Sequence, residues 1–397
     1  MNNKKTVIDL FCGAGGFSLG FNMAGFEVTG GLEIDKWASE TFKKNNPKAE
    51  LITDDISHIS DSELKYIFNR PDVILGGPPC QGFSIANKNA GDIKDPRNSL
   101  FMEFIRAVNA LEPKIAIMEN VPNLAKAKIE SGEKVIDVIT KQLGNLGYHA
   151  KPTVLEAVSF GVPQIRKRLF IVASKHPLVQ YFPEPTHNES NFVTLWDAIS
   201  DLPKVSPRGG AEEMEYTLYP QNEFQTRMRE NSTKVYNHSS MNHSYRLIER
   251  FSKMKWGEST SDVPNAQRPL KRNGNGAISD KAYDQNNRRM YPNKPCHTIP
   301  ASFYANFVHP FENRNFTARE GARIQTFPDY YRFYGKPTVV SHKLLQREGR
   351  IEEKYLCQYN QIGNAVPPLL AEAIALNIDK QLYNYVPSRR KLRTEGK

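Results

Sequence analysis

The sequence has no long apolar run and no internal repeat. Its mean hydropathy is −0.56, and no stretch approaches the roughly 20 apolar residues that a membrane-spanning helix needs. The apolar run in the N-terminal MNNKKTVIDLF is too short for a signal peptide. We therefore expect a cytoplasmic protein without a membrane span.

Cysteine is scarce, and its spacing excludes two common uses. The four cysteines lie far apart: Cys12, Cys80, Cys296 and Cys357. Without a CxxC pair, the chain has neither the pattern of a zinc site nor that of a disulfide framework. His238 and His243 stand close together in NHSSMNHS, but no cysteine or carboxylate ligand set accompanies them. We expect no metal.

Size and charge favour a large globular protein with an anionic partner. The 397 residues are 39% apolar and 24% charged, which is ordinary for a globular chain and enough for two domains. The formal net charge is +10. Such an excess fits nucleic acid as a partner, although charge alone fits a merely basic enzyme equally well.

Strand and helix patterns alternate through the first part of the chain. Short β-branched or apolar runs predict strands over 6–11, 26–34, 71–77, 114–120 and 168–174. Apolar residues at helical spacing predict helices over 17–25, 35–45 and 99–111, with Asp35 as the N-cap of the second. This alternation predicts an α/β fold with a mostly parallel sheet between two helical layers.

The character of the sequence changes near Lys175. From there to about Asn306 the chain is polar, irregular and rich in Asn, Ser, Arg, Tyr and Pro. We interpret it as a second, smaller, loop-rich domain. Helical patterns return over 317–327 and 367–382.

The stretch DLFCGAGGFSLG predicts a glycine-rich turn from a strand into a helix. Gly13, Gly15 and Gly16 would let the backbone approach a ligand, and Glu33 follows where nucleotide-binding sheets place an acid for ribose hydroxyls. The pattern fits NAD, FAD, S-adenosylmethionine or a purely structural turn. The missing GxGxxG spacing counts against a dinucleotide. Asp55, at a third strand end, could receive an adenine amino group or cap a turn.

Cys80, in GGPPCQGFS, sits just beyond the end of a buried strand that two prolines terminate. Ligands of open α/β sheets bind at this edge. The residue is either a buried, inert cysteine or a nucleophile. The prolines before it and the glycine-rich loop after it favour the nucleophile. Cys12 is the rival, but a nucleophile inside the ligand turn would compete with the ligand, so we interpret it as structural.

Two further motifs point at the same edge. MENV places Glu119 at a strand end, as an active-site carboxyl or as a turn residue. QIRKRLF places Arg166 and Arg168 on one face of a strand start, as site residues or as a solvated basic edge.

Taken together, these motifs resemble the cytosine-5 DNA methyltransferase family of the bacterial restriction-modification type. Six stretches occur in the family's order: DLFCGAGG, PPCQGFS, MENV, QIRKRLF, EGARIQTFPD and QIGNAVPP. The segment 335–357 does not match and is interpreted as an insertion. The resemblance implies a Rossmann-like S-adenosylmethionine-dependent methyltransferase domain. It also implies the division 1–185 catalytic, 186–310 target recognition, 311–385 return to the catalytic domain and 386–397 basic tail.

The resemblance also implies the chemistry. Cys80 would add to carbon 6 of cytosine, Glu119 would bind N3 and the amino group, Arg168 would hold the carbonyl oxygen, and Arg166 would support it. S-adenosylmethionine would be bound by a set that includes the glycine turn: Phe11, Gly13, Gly15, Gly16, Glu33, Asp55, Pro79, Leu100 and Asn364.

The implied substrate is double-stranded DNA, bound by a monomer. The base must leave the duplex, and the loop 81–97 after Cys80 could close over it, or be an ordinary loop. We expect DNA contacts from this loop and from the polar segment: Gln81, Ser84, Lys88, Arg97, Arg227, Arg229, Arg246 and Arg288. The alternatives are an RNA cytosine methyltransferase, a nucleotide-dependent oxidoreductase and a catalytically inactive DNA-binding protein.

Overall fold

The computed structural model describes six stretches of the chain, residues 5–79, 100–129, 131–271, 276–279, 287–339 and 342–383. Strands and helices alternate through the first part, in the order β1 (Thr6–Leu10), α1 (Gly16–Met23), β2 (Glu27–Leu32), α2 (Lys36–Asn45), β3 (Glu50–Ile52), α3 (Asp61–Phe68), β4 (Val73–Gly76), α4 (Leu100–Leu111), β5 (Ile115–Asn120), α5 (Val135–Asn145), β6 (His149–Glu156), β7 (Gln164–Ile165) and β8 (Lys167–Ser174). Every strand and helix predicted for this part is present.

The later part has short elements and long connections. They follow in the order α6 (Leu195–Ile199), β9 (Glu213–Glu215), α7 (Glu223–Arg229), β10 (Lys234–Tyr236), α8 (Tyr245–Ser252), β11 (Arg288–Arg289), β12 (Cys296–His297), β13 (Phe307–Val308), α9 (Ala318–Ile324), α10 (His342–Arg347), α11 (Gln358–Asn364) and α12 (Pro368–Tyr383). Among the described residues, none of the helices combines the length and apolarity needed to cross a membrane.

The central sheet has seven strands in the order β3-β2-β1-β4-β5-β8-β6. The first five pair in parallel, whereas β8 runs antiparallel to both of its neighbours. The predicted mostly parallel α/β sheet is therefore confirmed, and β6 is an additional strand that the sequence patterns did not reveal. The strand order reverses between β1 and β4, and in such sheets the crevice beyond the strand ends at this point binds ligands.

Both faces of the sheet are covered, and one cover comes from the far end of the chain. α4 packs its apolar stripe, including Phe104, Val108 and Leu111, on one face. On the other face α12 lies against α1, with Leu370 and Ile374 fully buried. A Cβ atom on Gly20 would lie 2.4 Å from the Cβ of Ala371, so only glycine permits this approach.

The polar segment shares a core with the return segment. One apolar cluster joins Leu195 and Ile199 of α6 with Ala322 of α9 and Ile362 of α11. The polar segment and the return segment therefore meet over a packed interface, and their predicted roles and the boundaries at 185 and 310 stay predictions.

A buried ion pair also fastens this interface. Arg323 binds Asp329 through two hydrogen bonds of 2.6 Å, and its Nη1 lies 3.0 Å from Asp201 Oδ1; all three side chains are fully buried. Burial alone would raise the pKa of Asp329, but the charge and hydrogen bonds of Arg323 lower it. Removing one partner would leave a buried charge unpaired, which typically lowers the free energy of unfolding by about 3–5 kcal/mol.

Three histidines of the later part are buried in their neutral form. His238 is bonded through both ring nitrogens. His243 accepts a hydrogen bond from the backbone of Asn315, and His309 accepts one of 2.9 Å from that of Glu312. Burial lowers the pKa of His238 and His243 to about 4 and that of His309 to about 3.

These histidines predict a loss of stability in mild acid. An unfolded histidine has a pKa of about 6.5. Below that pH these histidines are protonated in the unfolded chain but still neutral in the folded chain. This contribution to stability is complete above about pH 7 and falls as the pH drops from about 6.5 toward the folded values. Buried carboxyls with raised pKa values have the opposite effect, because they stabilise the folded chain as the pH falls. A matched variant is therefore needed to isolate the contribution of one histidine. Between pH 6 and 4.5 the wild type should lose up to about 1.4 kcal/mol per pH unit more than His309→Gln, measured by denaturant unfolding. Equal slopes would contradict the assignment.

Candidate active site

The turn between β1 and α1 holds a strained residue at the switch point of the sheet. Phe11 has φ 61°, and Gly13 and Gly15 are also left-handed, with φ 53° and 83°. Glycine adopts this conformation freely, whereas a phenylalanine there costs on the order of 1–3 kcal/mol. Phe11 and Leu100, both predicted cofactor contacts, pack partly exposed against the same core cluster.

The three glycines of this turn have different surroundings. A Cβ on Gly13 would meet no atom of the described residues within 4 Å, whereas one on Gly15 would lie 2.6 Å from the Tyr331 hydroxyl and one on Gly16 2.4 Å from the Val366 carbonyl oxygen. The sequence prediction gave all three the same task of admitting a ligand. The structure gives Gly15 and Gly16 close protein neighbours and leaves open space at Gly13.

Glu33 ties this turn to the next strand end. Its Oε2 accepts a hydrogen bond of 2.8 Å from the Gly13 N–H, and its Oε1 accepts one of 2.9 Å from the Asp35 N–H. Burial raises the pKa of Glu33, while these bonds oppose the rise. Each carboxylate oxygen has a second lone pair with which to accept a ligand hydroxyl. Asp35 caps α2 through the N–H groups of Trp37 and Ala38, as the sequence predicts.

The other predicted cofactor residues lie at neighbouring strand and helix ends. Asp55 accepts hydrogen bonds from the backbone and the hydroxyl of Ser57, so it caps the short helical turn after β3. Pro79 follows β4 and is partly exposed, and Asn364 ends α11 with an exposed side chain. Their contacts with a cofactor stay a prediction.

Glu119 and Arg168 form the central ion pair of the site. The Arg168 Nε lies 3.0 Å from the Glu119 Oε1, and the two side chains are only 15% and 12% exposed. The pairing follows from the register of β5 and β8. Glu119 stands opposite Phe170, and Arg168, two residues away, shares that face. Burial raises the pKa of Glu119, although the charges of Arg168 and Arg166 oppose the rise.

Arg166 faces a different set of partners. Its guanidinium, 1% exposed, donates hydrogen bonds to the backbone carbonyls of Ile299, Gly363 and Ala365 at 3.0 to 3.2 Å. It thereby holds both residues that flank Asn364. The sequence places Arg166 and Arg168 on one face, but only Arg168 binds the Glu119 carboxylate, and the contacts of Arg166 fit the supporting role.

Three polar residues near the site were not assigned to it from the sequence. Asp9 is buried and accepts hydrogen bonds from Ser18; burial, together with the charges of Glu33 and Glu119, raises its pKa to about 7. Gln325 is buried among backbone carbonyls of the return segment. The Asn120 amide donates a hydrogen bond to the carbonyl oxygen of Pro78, two residues before the predicted nucleophile. A polar residue that ends or interrupts an apolar strand is the signal that could have identified Asp9 and Asn120.

The Cys12 thiol is poorly suited to attack a substrate. Burial and the nearby charges of Asp9 and Glu33 raise the pKa of Cys12 well above its ordinary value. The reactive form of cysteine is the thiolate. This supports the structural role predicted for Cys12.

Part of the predicted site lies outside the described residues, including the predicted nucleophile and the loop 81–97. The residues concerned are Cys80, Gln81, Ser84, Lys88 and Arg97. Within the described stretches, no group of three or more His, Cys, Asp or Glu side chains could hold a metal ion.

Two arginines predicted to contact DNA bind acidic groups of the protein. Arg227 Nη2 lies 2.6 Å from Glu372 Oε1 on α12. Arg229 Nη1 lies 3.3 Å from Asp201 Oδ2, and its guanidinium stacks 3.6 Å from the centre of the Tyr216 ring. These contacts give both arginines a role in packing, and DNA binding by them stays a prediction.

The other two predicted DNA-contacting arginines, Arg246 and Arg288, are partly exposed. Arg246 donates hydrogen bonds to the backbone carbonyls of Ala266 and Arg268. Arg288 donates one of 2.6 Å to that of Gly257. Such bonds fix the direction of a guanidinium, and contact of either residue with DNA also stays a prediction.

A cavity of about 660 Å³ lies away from the Glu119–Arg168 pair, between α7, α12 and the chain around residues 186–193. Its lining includes Arg227 and Glu372 but none of the predicted catalytic or cofactor-binding residues. The candidate active site is therefore the crevice at the sheet edge, not this cavity.

The sequence matches known proteins over nearly its whole length. A family model described as C-5 cytosine-specific DNA methylase matches residues 5–380. The type II methyltransferase M.DdeI of Desulfomicrobium norvegicum is 47% identical over 376 residues, which are 94% of this chain and 88% of that protein. The type II methyltransferase M1.HphI of Haemophilus parahaemolyticus is 38% identical over 373 residues, 93% of this chain and 85% of that protein.

Solved structures share the fold. A candidate DNA modification methyltransferase encoded within an E. coli prophage superposes with a TM-score of 0.71 at 27% identity, covering 96% of this chain and 99% of that one. The Dnmt2 methyltransferase of S. pombe gives a TM-score of 0.59 at 17% identity and covers 96% of this chain and all of that one. The second likeness concerns the fold alone.

Proposed function

The chain belongs to the C-5 cytosine-specific DNA methylases, and from this membership we propose how its residues perform the methylation. It is a DNA (cytosine-5-)-methyltransferase of the kind found in type II restriction-modification systems. In that setting the methyl group would protect DNA from a partner endonuclease. The proposal assigns one step to each residue of the crevice.

Carbon 5 of cytosine needs activation because the aromatic ring makes it a poor nucleophile. In the proposed mechanism the Cys80 thiolate adds to carbon 6, and the electron pair of the 5,6 double bond moves toward N3. Carbon 5 would then take the methyl group as its bond to the sulfonium sulfur breaks, with S-adenosylhomocysteine as the leaving group. Carbon 5 loses its proton to a base, and the thiolate leaves carbon 6 as the double bond re-forms. The covalent step divides one difficult substitution into two easier ones.

The Glu119–Arg168 pair is the observation that carries this assignment. A carboxyl whose pKa burial has raised is suited to hold a proton beside N3 while negative charge arrives there. The guanidinium, 3.0 Å away, fixes the carboxyl and keeps further N–H groups for the cytosine carbonyl oxygen. A nucleotide-dependent oxidoreductase or a catalytically inactive DNA-binding protein would not need this pair.

The crevice has the features that S-adenosylmethionine requires. Bound there, the cofactor would supply an electrophilic sulfonium methyl group. Open space at Gly13 admits a ligand close to the backbone. The Glu33 carboxylate, held by two backbone N–H groups, can accept hydrogen bonds from ribose hydroxyls. The donor set therefore fits the cofactor.

The DNA substrate is proposed to be double-stranded, with the target base turned out of the stack. Extrusion costs a few kcal/mol and exposes carbon 6. The +10 charge supports binding to phosphates. The monomeric state and the cytoplasmic location stay predictions, to be checked by sedimentation and by fractionation of the host cell.

Methylation assays with single variants test the proposed roles. Cys80→Ser should abolish transfer of radiolabelled methyl groups to DNA, because a serine alkoxide is hardly available near neutral pH. Glu119→Gln keeps a similar shape and a hydrogen-bond donor but cannot transfer a proton to N3, so its rate should fall about 10²- to 10⁴-fold. The matched control is Cys357→Ser, a buried cysteine whose hydrogen bond to Asn360 a serine can retain; it should methylate normally. Methylation by Cys80→Ser at the rate of the control would refute the proposal.

The segment 186–310 is proposed to select the target sequence. The predicted catalytic and cofactor residues all lie outside it, and it meets the return segment over a packed core. Exchanging it with the matching segment of a relative of known specificity should transfer that specificity, as mapped by bisulfite sequencing. An active hybrid that keeps the original target would show that the boundaries or the role are wrong.

A further inference from the structure

The ladder between β4 and β5 cannot continue past the end of β4 through the backbone. The last paired residues are Gly76 and Met118. Gly77, Pro78 and Pro79 follow, and proline has no N–H to donate. The chain leaves the sheet after Gly76, four residues before Cys80. Its direction has to be fixed if the Cys80 side chain is to attack a base.

A side chain of β5 binds this backbone at its carbonyl oxygen. The Asn120 Nδ2 donates a hydrogen bond of 2.9 Å to the carbonyl oxygen of Pro78, and its Oδ1 accepts one of 2.8 Å from the N–H of Val121. The side chain is only 7% exposed. Because both ends of the amide are bonded, its orientation is set by its partners. A carboxylate at this position would place an acceptor against the Pro78 carbonyl oxygen.

Glu119 lies beside the same piece of backbone. A Cβ on Gly77 would lie 3.4 Å from the Glu119 Oε2, which is an ordinary van der Waals distance. Two successive residues of β5 therefore lie next to residues 77 and 78: Glu119 by proximity and Asn120 through its hydrogen bond to Pro78. The strand that carries the proposed catalytic carboxyl therefore also binds the backbone that leads to the proposed nucleophile.

From this arrangement we propose that Asn120 is a positioning residue for methylation. It fixes the direction of the backbone at Pro78, just before Pro79 and Cys80, relative to Glu119. The inference rests on the proposed roles of those two residues, which must reach carbon 6 and N3 of one rigid ring. A misplacement of about 1 Å between reacting groups costs about 10²-fold in rate.

The test separates positioning from ordinary stability. Asn120→Asp keeps the acceptor for Val121 but loses the donor to Pro78, and Asn120→Ala loses both. The matched control is Asn377→Asp on α12, where an amide that is 8% exposed donates to the backbone carbonyl of Gln180. Each variant is assayed for single-turnover methylation at saturating S-adenosylmethionine and DNA, for cofactor and DNA affinity, and for melting temperature.

Both Asn120 variants should lose about 10²-fold in the single-turnover rate, while their cofactor and DNA affinities stay within about two-fold of wild type. Asn377→Asp should keep the wild-type rate at a similar loss of melting temperature. A second readout follows the attack itself, because addition to carbon 6 makes carbon 5 basic and lets its hydrogen exchange with solvent. Without methyl transfer, this exchange should slow in both Asn120 variants by the same factor as methylation.

The inference is overturned if either Asn120 variant methylates and exchanges at the wild-type rate. It is also overturned if the loss tracks melting temperature equally in Asn120→Asp and Asn377→Asp. Cys80→Ser, assayed in parallel, distinguishes failure of the proposed function from failure of the positioning role. Activity in Cys80→Ser would refute the proposed function, whereas an inactive Cys80→Ser beside a fully active Asn120→Asp refutes only the positioning role.

Discussion

The contact between the first turn of the chain and its last helix is the constraint on which the site depends. α12 and the chain just before it lie so close to α1 that a Cβ on Gly16 would meet Val366 and one on Gly20 would meet Ala371. Because these partners are more than 300 residues away in sequence, α1 acquires this packing only when the return segment has docked. The start of α1, at the candidate site, is therefore completed by the far end of the chain.

Arg166 links the return segment to the Glu119–Arg168 pair. It holds the carbonyls on either side of Asn364 from a position two residues before Arg168, whose guanidinium binds Glu119. Arg323 is a large desolvated cation whose ion pairs add little net stability, since burying a charge offsets much of its pairing energy. It fastens the return segment to Ala198 and Asp201 of the polar segment.

Local features of the fold were predictable from the sequence, and distant pairings were not. The cap of α2 by Asp35 and the apolar stripe of α4 depend on neighbours within a few residues, and both appear as predicted. The apolar run of β8 indicated a buried strand but not its antiparallel direction. Its partner β6 is largely exposed and carries Pro152, so it lacks the apolar pattern of a core strand. The family resemblance, which the comparisons confirm, led to the prediction that Glu119 and Arg168 belong to the site, and that prediction stays untested. Their contact could be found only from the register of β5 and β8. The partners of Gly15, Gly16 and Asn120 could not be found, because periodicity says nothing about which distant backbone will approach.

The central claim is that a covalent bond forms between Cys80 and carbon 6 of cytosine, and trapping that bond tests it most directly. DNA in which every cytosine is replaced by 5-fluorocytosine is incubated with the enzyme and S-adenosylmethionine. After methyl transfer, fluorine cannot leave carbon 5 as a cation, so the thioether at carbon 6 cannot be released. A denaturing gel should then show a shifted protein–DNA band for the wild type and for Cys12→Ser, and none for Cys80→Ser. A band that persists in Cys80→Ser but disappears in Cys12→Ser would contradict the account and place the nucleophile in the cofactor turn.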